Sequence, residues 1–445
     1  MIPHIGPLDI LISSFYILLI IFISLVYRRN LGPTVKSYLL PFIAYRIICS
    51  IAFVAIHALY FKGGDTFVYF DLGDFYADQI RLNPVNVLGI YASDFETLRN
   101  IKMSSSYYSI FYLKAPDAML MGKIIGIINV FTGSQFMSST IIFSMICSIG
   151  LWQIFQTVSE IYPSLRKYFA IGILYYPTIA IWSSGMLKDP LAMLAVGLIF
   201  RSTYMLFKKK RVLFSIITIL ISILLCQALK PYILYIFIPT MLLWIYGMLA
   251  KSIKRNFIKS LILPIIILSF VTGGYFLFDK ISAGAGKYSL DNIEDVAKGF
   301  HNWHKYLAET RNQSGYTLGE VEFTPIGILS KAPAAIFVTY FRPIPFVDTR
   351  NASTFFESIQ SFVLLIISIW VLFKAGVLRT FRLIISNVHV RAFIIFAIFF
   401  GFAVGFTSYN FGALSRYKIP ALPFYVVSLA IIYYEARKKR KLKQA

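Results

Sequence analysis

The sequence predicts an all-α fold, a polytopic bundle of transmembrane helices. Three observations carry this. Of the 445 residues, 58% are apolar and only 14% are charged, against roughly 25% charged in a soluble domain. Apolar runs close to the ~20 residues needed to cross a bilayer also recur along the whole chain. Eleven spans are expected, near residues 11–27, 38–61, 136–156, 168–184, 190–207, 212–229, 233–249, 261–278, 361–377, 392–408 and 422–436.

The first span is read as retained. MIPHIGPLDI carries no Lys or Arg, and the run after it ends at Arg28 and Arg29 instead of a small-residue cleavage site. With its turn it forms an additional segment, 1–37, ahead of a membrane core at 38–278 that includes a polar outer loop, 62–117. Within that core, AMLMGKIIGIINVF at 118–131 is too short to span, and counting it would invert every later loop, so a half-inserted or interfacial helix is expected. A second large outer loop covers 279–360, and residues 361–445 supply the last spans and a basic tail.

Charge sets the expected orientation. With loops alternating sides, one set holds 22 Lys and Arg, among them Arg28, Lys36, Arg166, Lys208, Arg255, Arg379 and the tail RKKRKLK, against Glu160 and Glu435. The two long loops hold five basic and seven acidic residues at 62–117, and eight and nine at 279–360. The positive-inside rule makes the first set cytoplasmic, with the N-terminus outside and the C-terminus inside. The net charge of +23 is then a set of short basic caps that anchor the spans against anionic membrane lipids. These caps lack the interleaved aromatics of a nucleic-acid surface, and no nucleic-acid partner is expected. Cys49, Cys147 and Cys226 lie in apolar runs without ligand spacing, so neither a disulfide framework nor a zinc site is indicated.

The chemistry is expected on the outer face, because long ordered loops are usually functional. The first loop opens with Lys62 and GGDTFVYFDLGDFYAD. Asp65 sits at the glycine turn where a span leaves the bilayer, and a carboxylate partly desolvated there suits a general base. Asp71, Asp74 and Asp78 share one face if 66–80 is helical; they are rival bases or a solvated acidic face. Other outer turns bring cations to the same side: Lys188 beside Asp189 in WSSGMLKDP, Lys230 in KPY, Arg342 and Arg350 in TYFRPIPFVDTR, and Arg416 and Lys418, flanking Tyr417, in SRYKIPALPF. Cations there run against the topology rule. They either bind an anionic substrate at headgroup level, most simply a lipid phosphate or pyrophosphate, or pair with outer carboxylates.

His301 and His304, in GFHNWHKY, have helical spacing, but no HExxH pattern or adjacent carboxylate completes a metal site. No resident cofactor is expected, although the pattern leaves a divalent ion open. His57 lies within a span, placed for a hydrogen bond to a neighbouring helix. Asn312 and Asn351 head glycosylation triplets, and no GxxxxGK[ST] run supports nucleotide hydrolysis.

In order along the chain come a GGDxxxY segment after an early span, KAPDAMLMGKIIGIINVFTGS, a further span, YYPTIAIWSSGMLKD and a terminal SRYKIPALPF. Over roughly residues 38–436 this order resembles the integral-membrane GT-C glycosyltransferases, the class that includes protein mannosyltransferases and aminoarabinose transferases. The resemblance implies a sugar donor on a polyprenyl phosphate, a glycan, lipid or protein acceptor, and an outer-facing Asp that deprotonates that acceptor. Carried over by position, Asp65 resembles that Asp, with Asp71 and Asp74 as rivals. Lys188 and Asp189 fall in the outer loop that contributes to the site, and Arg416, followed by Tyr417 in Arg-Tyr-x-x-Pro, falls near the donor phosphate. The chain departs from the class in its additional first span and in reading GGDT where Asp-Glu or Asp-Ala is more frequent. WSSGMLKD-like and FRPIPF-like segments also occur in bacterial membrane proteins of polysaccharide clusters.

The expected function is sugar transfer from a polyprenyl-phosphate donor at the outer face of a bacterial-type inner membrane, with Arg or Lys stabilising the departing phosphate. One alternative is a polysaccharide polymerase or ligase using pyrophosphate-linked glycans, which Arg342 and Arg416 would serve equally. Another is a transporter or flippase for such lipids; the lack of an internal repeat, and ionisable residues gathered at the ends of spans, stand against it.

Overall fold

The computed structural model of the protein describes residues 5–92, 115–249, 264–265, 268–269, 271–276, 314–319 and 325–444. Residues 93–114 of the first loop, much of the expected span 261–278, His301, His304 and Asn312 lie outside the described residues.

The longer helices are α1 (Pro7–Arg29), α2 (Pro33–Ala55), α3 (Asp65–Leu82), α4 (Pro116–Thr132), α5 (Phe136–Ile161), α6 (Lys188–Phe207), α7 (Val212–Leu229), α8 (Pro231–Leu249), α9 (Ala332–Phe341), α10 (Ala352–Ala375), α11 (Val377–Ser386), α12 (Val388–Thr407), α13 (Phe411–Tyr417) and α14 (Leu422–Gln444). Among the described residues there is no strand, and one backbone bridge joins Gly315 to Asn410. Among the described residues eight helices are long and apolar enough to cross a membrane: α1, α2 with its continuation to Phe61, α5, α6, α7, α8, α10 and α12. The pair α13 and α14, bent by 67°, makes a ninth if it is one span. The chain is an all-α, multi-pass membrane protein.

Two segments differ from the sequence expectation. Residues 168–184 are not one helix: a short helix at Arg166–Phe169 loosens into a π turn, Ala170–Leu174, and a new helix starts at Pro177. Proline disfavours a helical conformation at the residue before it, and Tyr176 is extended, at φ −70° and ψ 117°. Inside the expected loop 279–360, APAAIFVTYF forms α9. Its ten residues are too few for a span, yet it packs on α12: Thr339 Oγ1 donates to the Gly401 carbonyl at 2.6 Å and the Tyr340 hydroxyl to the Ala397 carbonyl at 2.6 Å.

The chain folds as two compact units. The first comprises Met1–Pro163 and Leu174–Lys230, the second Ser164–Ile173 and Pro231–Ala445. In the first unit α3 packs on α4, α5 on α6, and α6 on α7, while α1 and α2 pack on α5. The α5–α6 contact is backbone against backbone, since a Cβ on Gly197 would lie 2.1 Å from the Gly150 carbonyl oxygen. Small residues permit such approach where lipid provides no hydrophobic drive between helices. Phe136, at the start of α5, meets Phe67 and Phe70 of α3 edge to face, at 5.1 and 5.2 Å. In the second unit α12 is central, packing on α8, α9 and α14, with Phe237, Phe396 and Phe424 in mutual contact.

The additional first helix is tied in by a charge. Gln135, which precedes α5, gives no side-chain cap. Instead Asp9 of α1, fully buried, accepts from the Met137 and Ser138 amides at 2.9 and 3.0 Å and from the Ser138 hydroxyl at 2.8 Å. A carboxylate at a helix N-terminus satisfies orphan N–H groups and the helix dipole together. Asp9→Ala is expected to cost about 2 kcal/mol, read as a lower unfolding midpoint in detergent; an unchanged midpoint would show that the cap contributes nothing.

Candidate functional site

The first unit gathers several of the sequence-selected residues at the ends of α2, α6 and α7. After Ala55, α2 widens into a π turn, Ile56–Phe61, of the kind frequent at functional sites. The chain then reverses through Lys62, at φ 49°, and Gly64, at φ 123°, a conformation that glycine alone adopts without strain. Asp65 follows as the first residue of α3, half-buried. His57 lies under this turn. Its Nδ1 is 3.0 Å from the Phe53 carbonyl of its own helix. A carbonyl only accepts, so Nδ1 carries the proton. Its ring stacks on Phe53 at 3.9 Å, meets Trp182 at 6.4 Å, and would touch a Cβ on Gly64 at 3.4 Å.

Tyr69 is one turn beyond Asp65 and shares its helix face. The Lys188 ammonium lies 5.5 Å from the Tyr69 ring and 2.5 Å from Asp117 of α4. Lys188 thus pairs with a carboxylate distant in sequence, and its neighbour Asp189 pairs with Lys230 at the end of α7. Asp189 also occupies the first turn of α6, where the helix dipole favours an anion.

The loop carrying Lys188 is held by a residue that sequence reasoning passed over. Arg46 of α2 is fully buried. It donates to the Ala180 carbonyl at 2.8 Å, the Ser183 hydroxyl at 2.7 Å, the Ser183 carbonyl at 2.6 Å and the Ser144 hydroxyl at 2.9 Å. Gly185 follows because the Phe53 ring fills the place of its Cβ, at 2.0 Å. The available signal was an arginine inside the apolar run AYRIICS, since charges at that depth are retained for a purpose. Arg46→Met would strand the Ser183 carbonyl, while Ala180 keeps the Ser184 hydroxyl at 2.6 Å, and a loss of about 1–3 kcal/mol is expected, the cost of an orphaned buried acceptor. Cysteine labelling at position 184 would report release of the loop; continued protection would remove Arg46 from that role.

Asp71, Asp74 and Asp78 do share a face of α3, as the spacing requires, but a different one from Asp65 and Tyr69. Asp78 pairs with Arg81 at 2.8 Å, and Arg81 reaches the Asn129 carbonyl at 2.7 Å and the Ser134 hydroxyl at 3.1 Å. Burial pushes the Asp71 and Asp74 carboxyls above the ordinary range, with Asp74 adding to the effect on Asp71 and a Ser134 hydrogen bond opposing it at Asp74.

In the second unit, Arg342 grips Asp348 through Nε at 2.8 Å and through Nη2, and Asp348 also accepts from the Ile344 amide at 2.8 Å. This closes the turn RPIPFVD, with the guanidinium 5.4 Å from the Phe411 ring at the head of α13. Lys418, at the bend between α13 and α14, is buried and pairs with Glu357 of α10 at 2.6 Å. Arg416 and Tyr417 form the last turn of α13, half-buried, with the Arg416 guanidinium 5.4 Å from the Tyr417 ring. Arg350 is exposed. Asn351, of the second glycosylation triplet, caps α10 by accepting from the Thr354 amide at 2.9 Å.

Burial works to raise the Asp348 carboxyl, but the Arg342 and Ile344 hydrogen bonds outweigh it and hold the group below the ordinary range. A depressed carboxylate contributes stability above its unfolded pKa, about 3.9, and loses it as pH falls through the folded value. The turn is therefore expected to stay closed from neutral pH down to about pH 4 and to open in stronger acid, whereas Asp348→Asn opens it at neutral pH. Amide exchange at Ile344 and Val347 reads this directly, and protection retained in the variant would contradict it.

Among the described residues no group of three or more His, Cys, Asp or Glu side chains is arranged to hold a metal ion. Comparison with protein-family models, curated proteins and solved structures gives no match to this chain.

Proposed function

We propose that the protein is a membrane glycosyltransferase of the GT-C type, moving a sugar from a polyprenyl-phosphate donor to an acceptor hydroxyl at the outer face of a bacterial-type inner membrane. The orientation proposed with it is N-terminus outside and basic tail inside, from the loop charges. The observation that carries the reading is the grouping in the first unit: Asp65 opening α3 four residues after the membrane-length helix that ends at Phe61, Tyr69 one turn on, and the ammonium of Lys188, the first residue of another such helix, 5.5 Å from the Tyr69 ring. A lipid-linked donor presents its phosphate at that level.

The chemistry assigned to these groups balances. The acceptor hydroxyl gives its proton to the Asp65 carboxylate, its oxygen bonds the anomeric carbon, and the bond from that carbon to the phosphate oxygen breaks with the electron pair leaving on the phosphate. An ammonium has three N–H groups; with one directed to Asp117, Lys188 has others for the phosphate charge. Trp182, partly buried, offers an aromatic face to a sugar ring. A transport reading draws on a separate observation, the buried Lys418–Glu357 pair at the 67° bend, because ionisable pairs inside membrane segments often mark a translocation path.

Reconstituted protein supplied with a radiolabelled polyprenyl-phosphate hexose and membrane acceptors tests the proposal. Asp65→Asn is expected to reduce transfer by about 100-fold or more, the scale of a lost general base, with the protein still folded, while Asp74→Asn retains activity. Loss in Asp74→Asn and not in Asp65→Asn would move the base to the other face of α3. A ladder of products would favour the polymerase, and flipping of labelled lipid without bond formation the transporter.

A further inference from the structure

In sequence, Arg379, Arg382 and Arg391 mark a basic turn between two spans; in the structure Arg379 and Arg382 lie on α11 and Arg391 on the first turn of α12. Gly376, at φ 83°, separates α11 from α10, and Asn387 separates it from α12, whose His389 and Val390 amides the Asn387 side chain caps. Both neighbours are membrane-length helices, so the ten residues between them lie at the level where those helices leave the bilayer.

The surface of α11 divides three ways. Thr380 and Leu383 are buried, and the helix packs against α10, α12 and α14. Val377, Leu378, Phe381 and Ile385 are exposed, by 71, 84, 64 and 55%. At about 100° of rotation per residue they follow one another around an arc of about 100°. Arg379 and Arg382 occupy the remaining sector, and Lys374 is exposed on the last turn of α10. Arg379 reaches the Ala436 carbonyl at 3.4 Å, and Arg382 points outward, exposed.

A helix bathed in water keeps its apolar side chains on the buried side. Here an outward apolar arc adjoins an outward basic one, the pattern of a helix lying in the membrane plane with its apolar arc at the acyl boundary and its arginines among headgroups. We propose that α11 is an in-plane interface helix that concentrates anionic phospholipid beside the second unit, through Arg382 and Arg379 with Lys374. Positive charge adjoining the apolar arc, and continuity with membrane helices at both ends, select an anionic bilayer over a protein as the occupant. The inference is independent of the proposed catalytic activity.

The test uses the full chain. Cys49, Cys147 and Cys226 are buried, so Phe381→Cys offers an accessible thiol for an environment-sensitive fluorophore. The labelled protein is placed in phosphatidylcholine vesicles with and without phosphatidylglycerol, and quenching by spin-labelled phosphatidylglycerol is compared with quenching by spin-labelled phosphatidylcholine. Lipid quenching with little quenching by aqueous iodide is expected, with the phosphatidylglycerol probe favoured. Adding Arg382→Gln, a surface change that leaves the buried side of α11 intact, should lower that preference about fivefold, the effect of one arginine near an anionic surface. Quenching by iodide, or by neither probe, would show water or protein over the helix and overturn the proposal. Equal quenching by the two lipids would overturn its anionic specificity.

Discussion

A charge placed in a membrane-length helix has to find its counterpart inside the protein, and this requirement shapes both units. Arg46 is the clearest case. An arginine at the centre of a spanning helix costs about 3 kcal/mol on insertion scales, while each hydrogen bond from a charged donor contributes about 1.5–3. Four such bonds, to Ala180, Ser144 and twice to Ser183, exceed the cost. The Ala180 and Ser183 carbonyls are open to it because the helix that starts at Pro177 ends at Trp182. The Ser183–Leu187 loop meets an arginine whose partners are all oxygens, while the break before Pro177 follows from the proline.

The other charges follow the same rule by different means. Asp9 uses the open N-terminus of α5, Asp189 takes the first turn of α6 and Lys230, and Lys418 takes Glu357 at a helix bend. Each of these connects elements far apart in sequence, so the polar contacts inside each unit fix which helices meet. Glycine-mediated contact between α5 and α6 supplies proximity, and the charges supply register. Breaking one member of such a pair leaves the other uncompensated, which is why buried pairs specify an arrangement even where they add little net stability.

Much of this was legible in the sequence and some was not. Span-length apolar runs gave α1, α2, α5, α6, α7, α8, α10 and α12, because length and hydropathy determine them directly. The helix at 116–132 was visible as an apolar stretch too short to cross. By contrast α9, with ten apolar residues, is buried through its contacts with α12, which no local pattern encodes. Among the site residues, spacing placed Asp71, Asp74 and Asp78 on one face, but the partners Asp117 for Lys188 and Asp348 for Arg342 depend on tertiary contacts or turn geometry. Arg46 was missed because the positive-inside argument weighs loop charges and passes over one inside a span.

Ion pairing by itself does not remove a cation from a role with substrate; access decides. The Lys230–Asp189 and Lys418–Glu357 pairs are closed on both members, with side chains 9 and 2% exposed in the first and 2 and 8% in the second. Drawing an anion to either would require desolvating it in competition with a partner already optimally placed. The Lys188–Asp117 pair is open, at 17 and 36%, and lies beside the Tyr69 ring. A partly solvated pair contributes little to stability, so exchanging or sharing Asp117 with a phosphate carries a small penalty. The same distinction separates the carboxylates. Burial raises Asp71 and Asp74 toward the range useful to a base, but their face of α3 leads to the Arg81 and Ser134 network, whereas Asp65 shares its face with Tyr69, whose ring lies 5.5 Å from the Lys188 ammonium. For the proposed transfer, proximity to the departing charge is the stronger criterion, because a general base would have to reach the acceptor and the cation the phosphate in one transition state.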